Sequence, residues 1–67
     1  MTDFQSGLAE AARQVRLRAD EYDRKRIRAV EEGHPRSEAR YERIRDLFLD
    51  QAACLEAQAQ HSHAAAE

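Results

Sequence analysis

One cysteine, Cys54, is the whole thiol inventory of this 67-residue chain, so no disulfide can form within it. A thiol alone in its chain fits a reducing compartment, and a cytoplasmic location is expected. Proline occurs once and glycine twice, which leaves few places where a helix must break. Tryptophan is absent, and two tyrosines and two phenylalanines are too few for a large aromatic core. No apolar run approaches the ~20 residues that span a bilayer, and no basic start with an apolar stretch marks a secretion signal. Neither secretion nor membrane insertion is expected. Cys-x-x-Cys and His-Glu-x-x-His spacings are missing, as are a Gly-rich phosphate loop and a Gly-x-Ser-x-Gly elbow. These absences exclude the usual ways of holding a metal, a cofactor or a nucleophile, and no enzymatic activity is expected.

What is present is charge on a helical background. Charged residues make up 36% of the chain, and the strong helix formers Ala, Glu, Arg, Gln and Leu dominate its composition. The net charge is only −2, but its distribution is uneven. All eleven Lys and Arg lie between Arg13 and Arg45, where seven acids leave a net +4; residues 1–12 carry −2 and residues 46–67 carry −4.

Local signals predict two helices. Thr2-Asp3-Phe4-Gln5 has the form of a capping box, with Asp3 favourable at the positive end of the helix dipole. Gly33-His34-Pro35 is the break: glycine suits the left-handed position after a helix, and proline suits the first turn of the next. The spacing therefore predicts helices over about 3–32 and 35–58 joined by a turn at 33–34, a hairpin domain of residues 1–60, and a frayed or disordered tail at 61–67. On the first helix Leu8, Ala12, Val15, Ala19, Tyr22, Arg26 and Ala29 alternate spacings of four and three and share one stripe, flanked by Phe4, Ala11 and Val30. On the second, Tyr41, Ile44, Leu47, Phe48, Gln51, Ala52, Leu55 and Ala59 form a broader stripe. A short turn makes the helices antiparallel neighbours, with residue numbers summing to about 67 at each level: Ala12 by Leu55, Val15 by Ala52, Ala19 by Phe48, Leu8 by Ala59. Leu8, Val15, Tyr22, Ile44, Leu47, Phe48 and Leu55 are the candidate core. Such a hairpin leaves one side of its apolar stripe wet, so the expected fold class is an all-α antiparallel two-helix hairpin dimerising into a four-helix bundle.

The polar residues read as follows. His61-x-His63 offers two ligands, too few for a closed zinc site. His34 is a turn residue, and Cys54 is read as a small buried hydrophobe. Asp20, Glu21 and Asp23, set among arginines, read as solvated ion pairs. Arg26 and Arg40 fall inside the apolar stripes near the turn, where the stripe ends and each side chain reaches water or stacks on Tyr41; a polar device for dimer register or partner contact is the alternative.

Leu17, Ile27 and Leu49 break the pattern outward, with Leu17 and Leu49 level across the hairpin, as a dimer seam or a partner face. With Arg13, Arg24 and Arg28 around them, they are the candidate protein-binding set. The leading expectation is a small non-enzymatic protein-binding regulator, an adaptor or inhibitor. It would dock a helix face on a larger protein such as a transcription regulator, and a phage or mobile element is a fitting source. The alternative is nucleic-acid binding through Arg24, Lys25, Arg28 and Arg36 in the basic turn-proximal half; no helix-turn-helix spacing supports it. A structural subunit of a larger assembly is the third reading. No family motif is present. In architecture the expected form resembles the Rop hairpin dimer, which binds paired RNA loops, and the small helical proteins with which phages and other mobile elements occupy host regulators. Likeness of architecture licenses little about function, and no residue is carried over.

Overall fold

The computed structural model describes residues 3–66, with side chains through His61. It is all-helical: α1 (Asp3–Glu31) and α2 (Pro35–Ala66) pack against each other as a hairpin. The turn is built as the sequence implies. Gly33 has φ +74°, in the left-handed region. Around it the His34 N–H donates to the Ala29 carbonyl at 2.8 Å and the Gly33 N–H to the Val30 carbonyl at 3.2 Å. This paired closure satisfies carbonyls that the end of α1 would otherwise leave open. His34 then caps α2, its carbonyl accepting the Glu38 N–H at 2.9 Å, with Pro35 at the first helical position. At the other end of α1, Thr2 of the capping box lies outside the described residues; Gln5, its proposed partner, is buried.

The packing follows a strict seven-residue repeat. With heptad letters that put a at Gln5, Ala12, Ala19 and Arg26 and d at Leu8, Val15, Tyr22 and Ala29, all of these α1 positions are buried or half-buried. On α2 the same holds for a at Glu38, Arg45, Ala52 and Ala59 and d at Tyr41, Phe48 and Leu55. Every described b, c and f position of the helices is exposed. That is the burial pattern of a two-stranded antiparallel seam. Cross-helix contacts between Arg16 and Glu56, Asp23 and Arg45, and Tyr22 and both Tyr41 and Phe48 agree with a fold-back about residues 33–34.

Small residues recur at a and large ones at d, and the two behave differently. Ala12, Ala19 and Ala52 at a, and Ala29 at d, are buried, Ala52 completely (0% exposed), whereas among the described residues no large side chain is fully buried. Alanine lets the helix backbones approach along the a edge of the seam. The bulky d side chains are directed toward the g flank, where a two-helix layer has nothing to cover them.

Several expectations change. α2 continues past residue 58 to Ala66, because Ala, Gln, Ser and His there offer no glycine or proline to stop it. The buried stripe of α2 is turned from the expected one: Leu47 (62% exposed) and Gln51 lie outside the hairpin core, while Arg45 and Leu49 are half-buried. Arg40 is exposed at a c position rather than inside the stripe, and Cys54, also at c, is exposed rather than buried. Hydropathy drew Leu47 and Cys54 inward, but the seven-residue register decides.

Because the a positions set the helix spacing, Ala52→Leu is expected to force the helices apart and destabilise the fold by about 1–3 kcal/mol, as overpacking does. Thermal and urea denaturation followed by circular dichroism would measure it; an unchanged midpoint would contradict the close alanine seam.

Candidate functional site

The heptad divides the hairpin into surfaces of different chemistry. On the e flank, beside the a edge, the charges are paired. Arg16 donates from Nε to Glu56 Oε2 at 3.0 Å and from Nη2 to Oε1 at 2.6 Å, a two-pronged bridge between the helices. Asp23 Oδ1 accepts from Arg45 Nη1 at 2.7 Å and from Arg26 Nε at 3.1 Å. Arg45 also donates to Asp46 from Nε at 3.1 Å and Nη2 at 2.9 Å, and lies 3.9 Å from Glu42. The charged a positions near the turn, Arg26 and Arg45, thus have their carboxylate within the seam. Neither Arg45 nor the bridging role of Asp23 is visible to a search for apolar stripes; the heptad running through 38, 45, 52 and 59 is the signal that would have found Arg45. Hydrogen bonds from Arg45 and then Arg26 hold the Asp23 carboxyl below the ordinary carboxylate range, and that from Arg16 does the same for Glu56. The same bonds raise Arg45 and Arg16.

The second surface is the back of α1. Arg13, Leu17, Asp20, Arg24 and Ile27 occupy alternating b and f positions, so four of the six candidate protein-binding residues share one outward stripe, while Arg28, at c, turns toward the g flank. Leu17 is 50% exposed and Ile27 is 43% exposed. Arg13 is tied to Glu10 at 2.7 Å, while Arg24 and Arg28 form no ion pair among the described residues. Leu49, the sixth, does not join them: it is half-buried on the e flank of α2, whereas Leu17 sits at f, on the side of α1 opposite the seam. Being level along the hairpin does not put two residues on one face.

The third surface is the g flank, beside the d edge. Tyr22 stacks on Phe48 with ring centroids 5.6 Å apart and meets Tyr41 at 6.1 Å. Lys25 Nζ stands 4.7 Å over the Tyr22 ring, a cation–π contact. Toward the turn, Lys25, Arg28, Ser37 and Tyr41 line a shallow hollow with Glu32 and His34. Arg36, Arg40 and Arg43 gather around Ala39 and Ile44 in another hollow on α2. The alternative nucleic-acid set is therefore divided: Lys25 and Arg28 line one hollow, Arg36 the other, and Arg24 faces outward.

Among the described residues no group of three metal-ligating side chains comes together, and no helix is long and apolar enough to cross a membrane. His63 of the histidine pair lies outside the described side chains. No protein-family model matches the chain, and no curated protein or solved structure matches it either.

The paired carboxylates make a test by pH. Asp23 and Glu56 titrate lower in the fold than in the unfolded chain, so the unfolded chain binds their protons more readily. The stability they lend is complete above the unfolded carboxylate values near pH ~4 and is lost as pH falls through the lower folded values. The urea midpoint is expected to fall on acidification below that point, and Asp23→Asn should flatten this acid limb. Asp50→Asn, which removes an exposed carboxylate with no ion pair, should leave the limb as steep as before.

Proposed function

We propose that this chain is a small non-enzymatic protein-binding regulator, an adaptor or inhibitor, that docks the outer face of α1 on a larger protein while it self-associates into a four-helix bundle. The observation that carries this reading is the α1 stripe, in which exposed Leu17 and Ile27 lie among Arg13, Asp20 and Arg24. The two apolar residues stand about 15 Å apart along the helix axis, a span suited to anchoring a helix in a groove. Arginines beside apolar anchors are the composition of interface centres and their rims. Arg24 forms no ion pair among the described residues, so a partner's carboxylate would not compete with an existing one.

A second reading has an observation of its own. Arg18, Arg24, Lys25, Arg28, Arg36, Arg40 and Arg43 form no ion pair among the described residues, and all lie in the turn-proximal part of the hairpin. A cation-rich end of this kind attracts phosphates. Protein docking is preferred because these cations point in several directions around the hairpin, whereas Leu17 and Ile27 offer one apolar stripe that a phosphate backbone would not use.

Capture of partners from cell extract separates the two. With Leu17→Glu and Ile27→Glu together, recovery of a specific protein partner is expected to fall at least about tenfold, the effect of losing interface anchors, and nuclease treatment should not change recovery by the parent chain. Recovery that survives this double substitution but disappears after nuclease, and that collapses when Arg24, Lys25, Arg28 and Arg36 become Gln, would decide for nucleic acid.

A further inference from the structure

The hairpin carries more surface than a free-standing domain of its size. A compact monomer of 7.7 kDa exposes about 4,300 Å²; this chain exposes 5249 Å². The difference, about 900 Å², is close to the ~800 Å² that each partner contributes to a standard interface. Its radius of gyration, 15.3 Å, and its extents, 52 × 14 × 10 Å, likewise exceed the ~11 Å radius of a compact chain of this length.

The two sides of the layer are not equal candidates for covering. Burying the e flank would strip water from the Arg16–Glu56 and Asp23–Arg45 bridges, at a desolvation penalty that pairing repays poorly. The g flank has the opposite character. The half-buried d side chains Tyr22, Tyr41 and Phe48 lie toward it, and Phe4, Ile44 and Leu47 extend it at g and c positions. From Phe4 to Lys25 on α1 and from Ile44 to His61 on α2, its g and c positions hold no ion pair.

This face is also divided lengthwise. Arg18, Lys25, Arg28 and Arg40, with the single acid Glu21 among them, lie from mid-hairpin to the turn, whereas the g, c and d positions at the open end carry no Asp, Glu, Lys or Arg. Two copies docked turn against turn would bring these cations against their own kind. Docked turn against open end, the long basic stems lie over the neutral apolar half of the other copy. Their charged heads then meet no like charge, because that half of the face carries no Lys or Arg. We infer that the g flank is the seam for a second copy of this chain, packed antiparallel with the turn of each hairpin beside the open end of the other. The inference rests on the self-association proposed above and adds its face and its direction. It leaves the back of α1 uncovered.

The test uses the full chain with Cys54→Ser and Glu32→Cys, spin-labelled beside the turn, with sedimentation to establish the assembly state. A dimer with the two labels ~40–45 Å apart, about one hairpin length, is expected. In the parent chain, Leu47→Glu should weaken the dimer at least tenfold, because a charge enters the seam; Ala53→Glu, on the e side of α2, should not. Since Leu47 lies outside the hairpin's own core, its substitution does not disturb α1–α2 packing. A chain that sediments as a monomer at tens of micromolar would overturn self-association and the seam together. A dimer whose labels lie within ~25 Å would overturn the antiparallel direction alone, and one weakened by Ala53→Glu but not by Leu47→Glu would overturn the choice of face.

Discussion

A layer of two helices has a single seam, and a seam can hide only what is thin enough to fit between two rods. In this hairpin the side chains that pass that test are alanines. Ala12, Ala19 and Ala52 sit at a, and Ala29 closes the row near the turn. Their smallness draws the backbones together and leaves Leu8, Val15, Tyr22, Tyr41, Phe48 and Leu55 to stand at the edge, each half-covered. Much else follows from that constraint. The molecule is long and thin, its aromatic cluster borders solvent, and its polar chemistry is pushed to the flanks and backs of the helices. Placing large residues at a as well would widen the seam without drying it, because a third layer would still be missing.

The charges divide along the same line. At the a edge, where the helices lie close, an arginine side chain is held near the opposite helix, and Asp23 and Glu56 supply its counter-charge across the seam. At the g flank and on the helix backs there is no such constraint, and apart from Arg13, paired with Glu10, the remaining cations form no ion pair among the described residues. Exposed pairs of the first kind add little stability each, so their value lies more in register: they fix which level of α1 meets which level of α2. Of the unpaired cations only Lys25, over the Tyr22 ring, has a described contact within the hairpin, which leaves the others available to something else.

How far the sequence revealed this differs from element to element. The turn was fully legible, since Gly33 and Pro35 have few other uses at that spacing, and so was the α1 stripe, where large and small apolar residues alternate from Leu8 to Tyr22. The α2 stripe was misjudged because its true heptad passes through Glu38 and Arg45, which hydropathy rejects, and skirts Leu47 and Cys54, which hydropathy invites. A charged residue in a two-helix seam is tolerable because water reaches it from the side, and only the register exposes it as part of the seam. That Arg13, Leu17, Arg24 and Ile27 of the candidate binding set fall on one side of α1 was readable, because they share one helix and therefore one geometry. Leu49 was misplaced because its position relative to Leu17 depends on how the two helices are rotated, and linear spacing holds no information on rotation.

That rotation is also what would let one small chain serve the two partners proposed for it. If the heptad letters were shifted by one position on α1, Leu17 and Ile27 would move toward the flanks and merge with the surface that a second copy would cover, and self-association would compete with docking. As built, Leu17 lies opposite the seam and Phe4 and Ala11 lie at its side. A neighbour packed on the g flank therefore approaches α1 at roughly a right angle to the direction in which Leu17 points. In an antiparallel pair the two Leu17–Ile27 stripes would run in opposite directions on the outside of the bundle, related by the twofold axis. A target with matching symmetry could then be gripped twice, so that modest affinity at each stripe adds up through the linkage between them. The alanine seam makes this arrangement possible: by confining hairpin packing to the narrowest stripe of each helix, it leaves the other faces free for separate tasks.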